Sequence, residues 1–171
     1  MTKISARRAA VVAVPAALVG AAAFWLGAAA VPASGHPKPD TIELAATTGE
    51  FAIVQHGAPG PALQLGDQIV SNDTLSRSGK TVGTDGVVCE VVKITKTAIT
   101  CHWTMNLSLP EGQLLLGGIT DGPLHKPTEP LKFTLAVTGG TGRYQSARGQ
   151  ASIVDNPDET EQITIQLNRG L

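Results

Sequence analysis

The clearest pattern in the chain lies between residues 99 and 109. Ile99, Cys101, Trp103, Met105, Leu107 and Leu109 fall on one side, and Thr100, His102, Thr104, Asn106 and Ser108 on the other. A period of two sustained this long predicts a long strand with one buried face. Leu109-Pro110-Glu111-Gly112 reads as a turn, and Gln113 to Ile119 as the partner strand. Downstream, Leu131, Phe133, Leu135 and Val137 alternate with Lys132, Thr134, Ala136 and Thr138. Gly149 to Val154 and Gln162 to Leu167 predict the last two strands, separated by Asp155-Asn156-Pro157-Asp158, with Ile163, Ile165 and Leu167 on the inner face. Upstream, Thr41 to Thr47, Phe51 to His56, Gly66 to Asp73 and Val87 to Ile94 read as further strands. Gly57-Ala58-Pro59-Gly60-Pro61, Ser76 to Gly86 and Asp121 to Pro130 read as loops.

The count is eight or nine strands, adjacent in sequence and joined mainly by short turns. No segment has a helical period. The 19 glycines and 11 prolines interrupt most stretches long enough for a helix. A meander of one-sided strands leaves two open edges unless it closes on itself. The pattern therefore predicts an all-β, eight-stranded antiparallel up-and-down barrel rather than a sandwich. Its inner ligand-lining candidates are Trp103, Met105 and Phe133.

The N-terminus has a different character. Lys3, Arg7 and Arg8 precede an apolar, alanine-dominated run from Ala9 to Val31. A positive start, an apolar stretch and the small residues of Val31-Pro32-Ala33 fit a secretory signal over residues 1–33, cleaved before Ser34. The run is also long enough to be an uncleaved membrane anchor. Arg7-Arg8 allows a twin-arginine route, although Ala9-Ala10-Val11 matches it weakly. Both readings place the globular part outside the cytoplasm. Residues 34–40, with Pro37 and Pro39, read as a linker, and 41–171 as one barrel domain.

Charge excludes one class of partner. Taking Lys3, Arg7 and Arg8 from the 13 Lys and Arg leaves 10 against 14 acids. A mildly acidic domain without a basic cluster does not neutralise nucleic-acid phosphates. The two cysteines, Cys89 and Cys101, have two readings. In an exported chain a lone pair favours a disulfide, and a hairpin centred on Thr95 sets the two across neighbouring strands. The alternative is a reactive thiol or a metal site, but two Cys without a clustered His or carboxylate make a poor zinc site. No metal site is expected.

Several blocks occur together in order. They are Leu65-Gly66-Asp67, Asn72-Asp73-x-Leu75, Val82-Gly83-Thr84-Asp85-Gly86-x-x-Cys89, Thr100-Cys101, Leu109-Pro110-Glu111-Gly112-Gln113, and Ala136-Val137-Thr138-Gly139-Gly140-Thr141-Gly142-Arg143-Tyr144 with Ala147-Arg148-Gly149. In this arrangement the chain resembles the allene oxide cyclase and dirigent barrel superfamily, and in particular its bacterial exported members. The resemblance implies an eight-stranded barrel, a homotrimer, and a cavity at one mouth. It implies steering of a small hydrophobic molecule through cyclisation or phenoxy-radical coupling, without a cofactor. It carries over two residues, Asp73 as a substrate-facing acid and Arg148. The chain also departs from the pattern. The first strand, Phe51-Ala52-Ile53-Val54-Gln55, offers little polar chemistry beyond Gln55, and aromatic residues make up only 4%.

Each candidate has a structural alternative. Asp73 is a general acid or a strand-end turn residue. Arg148 binds an anion or pairs with an acid such as Asp73. Tyr144 is a proton donor or a packing residue. Gly139-Gly140-Thr141-Gly142 lacks the Lys and the following helix of a phosphate loop and reads as a turn. His36, His56, His102 and His125 are scattered and form no nucleophile triad with a Ser and an Asp. Asn72-Asp73-Thr74 and Asn106-Leu107-Ser108 fit the glycosylation acceptor pattern, which carries little weight behind so alanine-rich a leader. The sequence supports a secreted barrel that binds a small hydrophobic ligand and steers its cyclisation or coupling, with a non-catalytic exported module as the alternative. A deep apolar cavity receiving Asp73 and Arg148 marks the catalyst. A barrel packed solid by Trp103, Met105, Leu107, Phe133 and Leu135 marks the module.

Overall fold

A computed structural model describes residues 40–57, 60, 62–125 and 127–168. The signal or anchor over residues 1–33, and the linker up to residue 39, lie outside the described residues. Eight strands follow in order: β1 (Asp40–Val54), β2 (Gln68–Arg77), β3 (Lys80–Ile94), β4 (Ala98–Leu109), β5 (Gly112–Pro123), β6 (Leu131–Gly140), β7 (Gly149–Asp155) and β8 (Thr160–Leu167). Each pairs antiparallel with the next, and β8 returns to β1, so the sheet closes into a barrel. One short 3-10 turn, Gly142–Tyr144, precedes β7. The expected up-and-down barrel is the fold observed.

The boundaries differ from expectation in three places. The two runs Thr41 to Thr47 and Phe51 to His56 form a single strand. A bulge between Thr48 and Glu50 absorbs the interruption in alternation. Gly49 permits it, because a Cβ there would lie 2.7 Å from the Asn72 carbonyl oxygen. The segment Ser76 to Gly86 is not a loop. Arg77 pairs with Lys80 across Ser78 and Gly79, whose positive φ angles of 51° and 75° fit the mirror-image turn that tight hairpins require. Last, β5 runs on to Pro123, shortening the loop expected from Asp121.

Inner positions of the strands build the core. Leu75, Met105, Leu107, Leu114, Leu116, Leu135, Ile153, Ile163 and Ile165 are fully buried. A second, smaller cluster surrounds Cys89, Ile99 and Cys101. These cysteines are bonded, with Cα atoms 5.2 Å apart. The ladder pairs Cys89 with Trp103 and Val91 with Cys101, and a bulge follows at Val92, so the bridge runs diagonally between β3 and β4 rather than straight across. It closes a short loop, worth about 2–3 kcal/mol in the chain-entropy account. Replacing both cysteines by alanine is therefore expected to lower the unfolding free energy by that amount, about 2–3 kcal/mol. Urea denaturation reads this as an earlier midpoint. An unchanged midpoint would remove the bridge from the list of stabilising features.

The antiparallel order fixes two ends. Asp40, the β2–β3 turn, the β4–β5 turn, the β6–β7 connection and Leu167 lie at one, here the Asp40 end. The β1–β2 loop and the β3–β4, β5–β6 and β7–β8 connections lie at the other, here the Val54 end.

Candidate functional site

Period two carries charge into the barrel. On β2 the positions Ile69, Ser71, Asp73, Leu75 and Arg77 share a face, and Leu75 on that face is fully buried. On β3 Asp85 alternates with buried Val87 and Cys89. On β8 Glu161 lies two residues before Ile163, and on β7 Asp155 lies two residues after Ile153. Asp73 and Asp85 are only 1% and 2% exposed.

The sheet is irregular on both sides of Asp73. Towards β1 lies the Gly49 bulge. Towards β3 the regular ladder lapses between the pairs Ser71–Val87 and Thr74–Thr84. There the Asp73 backbone N–H donates to Asp85 Oδ1 at 3.0 Å, and Asn72 Nδ2 donates to the Asp85 carbonyl. A side-chain carboxylate thus replaces a ladder carbonyl. Bulges such as the one at Gly49 recur next to active sites, where they re-aim side chains. The Asp73 carboxyl accepts from the Gly49 backbone and the Ser71 side chain. Asp73 Oδ1, Asp85 Oδ2 and Glu161 Oε2 are buried without a hydrogen-bond partner.

Burial and mutual repulsion keep protons on this group. Burial raises Asp73 above the ordinary carboxylate range, against the hydrogen bonds from Gly49 and Ser71. Burial, and then the Asp73 charge, push Asp85 up to about 7. Burial, followed by Asp155, Asp73 and Asp85, pushes Glu161 up to about 8. Carboxyls tuned to this range can both give and take a proton near neutral pH. Among the described residues, no three or more His, Cys, Asp or Glu side chains are placed to hold a metal ion.

An apolar wall stands at the Val54 end. Trp103 stacks on Phe133 with ring centroids 5.2 Å apart, and Trp103 Nε1 donates to Thr120 Oγ1 at 2.7 Å. The β1–β8 ladder stops at Thr47–Thr160, so the rest of β1 is flanked by β2 alone. Phe51 opposes Ser71, and Ile53 opposes Ile69. Directly opposed residues share a face, which puts Phe51 and Ile53 on the inner side. They are nonetheless 61% and 48% exposed, as an apolar lip.

The residues singled out in the sequence are dispersed. Asp73 is within the acid group. Met105 is sealed in the core beside Leu107 and Leu135. Gln55 closes its own loop, its side chain donating to and accepting from Gly60. Tyr144 is buried at the Asp40 end, where its O–H donates to Glu111 Oε2 at 3.5 Å, and Arg77 pairs with Glu111 at 3.1 Å. These three, with Arg143, Asp40 and Glu43, line a groove of about 720 Å³. Leu75 separates Arg77 from Asp73 along β2. Arg148 is exposed, donates to the Ala147 carbonyl, and is not brought to Asp73. The glycine-dense segment is a turn: Thr141 and Arg143 N–H donate to the carbonyls of Gln113 and Glu111, and no α-helix follows. Asp67, buried, accepts from the His56 and Gln64 backbones and closes the β1–β2 loop. Asp85 and Glu161 were missed as site residues. Extending the alternation of Val87–Cys89 and of Ile163–Ile165 by one step places both on the inner face.

The allene oxide cyclase barrel like domain matches residues 41–167 of this chain. The chain belongs to this family. Among solved structures, a pyocyanin demethylase is similar at 29% identity, with 75% of this chain and 99% of that one covered and a TM-score of 0.62. A Diels-Alderase from Streptomyces koyangensis is 17% identical, over 78% of this chain and 72% of its own, with a TM-score of 0.55. A pterocarpan synthase dirigent protein is 18% identical, over 85% and 98%, with a TM-score of 0.51. The last two share the barrel fold. No curated protein matches the chain. Among the described residues no helix is long and apolar enough to cross a membrane.

Proposed function

We propose that this protein is an exported barrel that binds a small hydrophobic molecule at the Val54 end and steers its rearrangement by shape and proton transfer, without a cofactor. The observation that carries the reading is the group Asp73, Asp85 and Glu161: buried inner-face acids with unpartnered oxygens. Such acids are costly to bury and are expected where they do chemistry. Phe51, Ile53, Trp103 and Phe133 would hold the apolar body of the ligand, and the acids would protonate or deprotonate it as bonds shift. Cyclisation or coupling is the reaction class, in line with the cyclase and dirigent relatives. The demethylase, the nearest in sequence of the three compared, adds an aromatic ligand to the candidates. The leader with Lys3, Arg7 and Arg8 and the Cys89–Cys101 bridge support export into an oxidising compartment.

The filled centre of the barrel favours a second reading, a non-catalytic exported binding module. One experiment separates the two. The purified barrel is incubated with pyocyanin, an unsaturated fatty-acid epoxide, and a phenol with a one-electron oxidant. Binding is followed by calorimetry and products by chromatography. Binding with conversion of one compound supports the catalyst. Binding without conversion leaves the module, and no binding at all removes both.

A further inference from the structure

At the Asp40 end, β1 leaves part of its length without a second neighbour. It pairs with β8 from Asp40 to Thr47, but with β2 only from Ala45 on. β2 ends at Arg77 and turns back through Ser78 and Gly79. Asp40 to Leu44 is therefore a sheet edge. Two bonds show which of its residues face away from β8. Ser76 Oγ donates to the Ala45 carbonyl at 3.4 Å, on the β2 side. The Thr48 N–H donates to the Glu159 carbonyl at 3.0 Å, on the β8 side. Backbone groups of successive strand residues point to alternate sides, so Thr41 and Glu43 send their N–H and C=O groups to the open side. Among the described residues no backbone bond reaches them there. Both residues are exposed. The stretch carries neither proline nor bulge, two usual guards of an open edge.

This edge borders the groove of about 720 Å³, which Ser78, Gly79, Arg143 and Tyr144 also line. At ordinary strand and sheet spacings a β residue fills about 160 Å³, so the groove has room for about four extended residues, close to the length of the open edge. Ile42 and Leu167 are only partly buried and offer apolar surface on the inner side. Arg77 is taken by Glu111. Arg143 is exposed, and no acid pairs with it among the described residues. We infer that the β1 edge takes up a short extended peptide as an added strand. The peptide backbone bonds to Thr41 and Glu43, its inward side chains rest on Ile42 and Leu167, and a carboxylate on it meets Arg143. A second copy of the chain fits less well, since it brings a whole barrel wall against the β2–β3 turn that lines the groove. The inference is independent of the ligand proposed at the Val54 end.

The test measures fluorescence anisotropy of three labelled pentapeptides with the purified protein. The first alternates Val and Thr and ends in Asp with a free carboxylate. The second is the same peptide methylated on its backbone nitrogens, and the third ends in a lysine amide instead. Two lost hydrogen bonds should weaken the second at least about tenfold, and the third should bind severalfold more weakly than the first. Thr41→Pro removes a free N–H and spares the β8 ladder, as proline on an edge can. It should weaken the first peptide severalfold with the melting temperature unchanged. Arg143→Ala should erase the preference for the Asp peptide over the Lys peptide. Hydrogen exchange at the Thr41 and Glu43 amides should slow only with peptide bound. Equal binding of the first two peptides, or no binding of any, overturns the inference. Amides already protected in the isolated monomer overturn it in favour of an edge filled by the chain itself. A dimer that Thr41→Pro dissolves, with no peptide bound, overturns it in favour of a second copy.

Discussion

Asp73→Asn is expected to lower turnover of a converted substrate by about 10²–10⁴-fold, the usual contribution of a positioned acid or base. The substitution keeps shape and volume. It keeps an acceptor for the Gly49 and Ser71 donors, and the Asp73 backbone bond to Asp85 does not involve the side chain. What it removes is the exchangeable proton. The fall in kcat should therefore exceed any change in ligand affinity, and the melting temperature should change little, because the amide keeps the shape and the acceptor of the buried acid. Single-turnover kinetics with a parallel binding isotherm separates these quantities. Wild-type turnover in the variant would take Asp73 out of the chemistry and leave it as a structural acid in a broken ladder.

The acids also set a pH dependence of stability. Glu161 titrates near 8 when folded and near 4.5 in an ordinary environment, and Asp85 near 7 against 3.8. Below the lower values both the folded and unfolded chains carry these protons, and neither group affects the balance. As pH rises, the unfolded chain releases them first, while the folded barrel keeps them until about 7 and 8. Unfolding in this window releases protons, so stability falls as pH rises. Stability should fall throughout about pH 5 to about pH 8, as a loss shared across a coupled group. Glu161→Gln combined with Asp85→Asn should flatten that decline and make the variant the more stable protein at about pH 8. Urea midpoints at several pH values read the effect directly. A wild-type profile as flat as the variant's would show that the acids ionise freely in the folded barrel.

The sequence was most legible where patterning was undisturbed. Ile99 to Leu109 alternates without a break and is β4 but for its first residue. It was least legible where the site interrupts the pattern. Thr84-Asp85-Gly86 reads as loop because an acid occupies an inner position that alternation reserves for an apolar side chain. The same interruption is what makes Asp85 chemically interesting, and such local conflicts are expected at functional positions. Asp73 was reached through resemblance, since an isolated Asp-x-Leu is equally a turn signal. Arg148 shows the limit of carrying a motif over. Ala147-Arg148-Gly149 is present, but a residue at the start of β7 has no fixed inward direction until the turn before it is built. Tyr144 was visible as an aromatic in a glycine-rich segment. Its pairing with Glu111 was not, because the two are 33 positions apart and meet only when the β4–β5 and β6–β7 turns pack together.

The early end of the β1–β8 ladder has a consequence for how such a protein can change. From Asp40 to Thr47, β1 pairs with β8, joined by β2 from Ala45 on, and contributes Leu44 and Ala46 to the sealed interior. From Gly49 to Val54 it is held on one side only, and Phe51 and Ile53 bury little. One strand thus divides its labour along its length: the first half closes the cylinder, and the second shapes the entrance. On the proposed reading, substitutions in the second half alter what the entrance admits while leaving the first half intact. Under that proposal, ligand preference can drift on this scaffold almost independently of its folding.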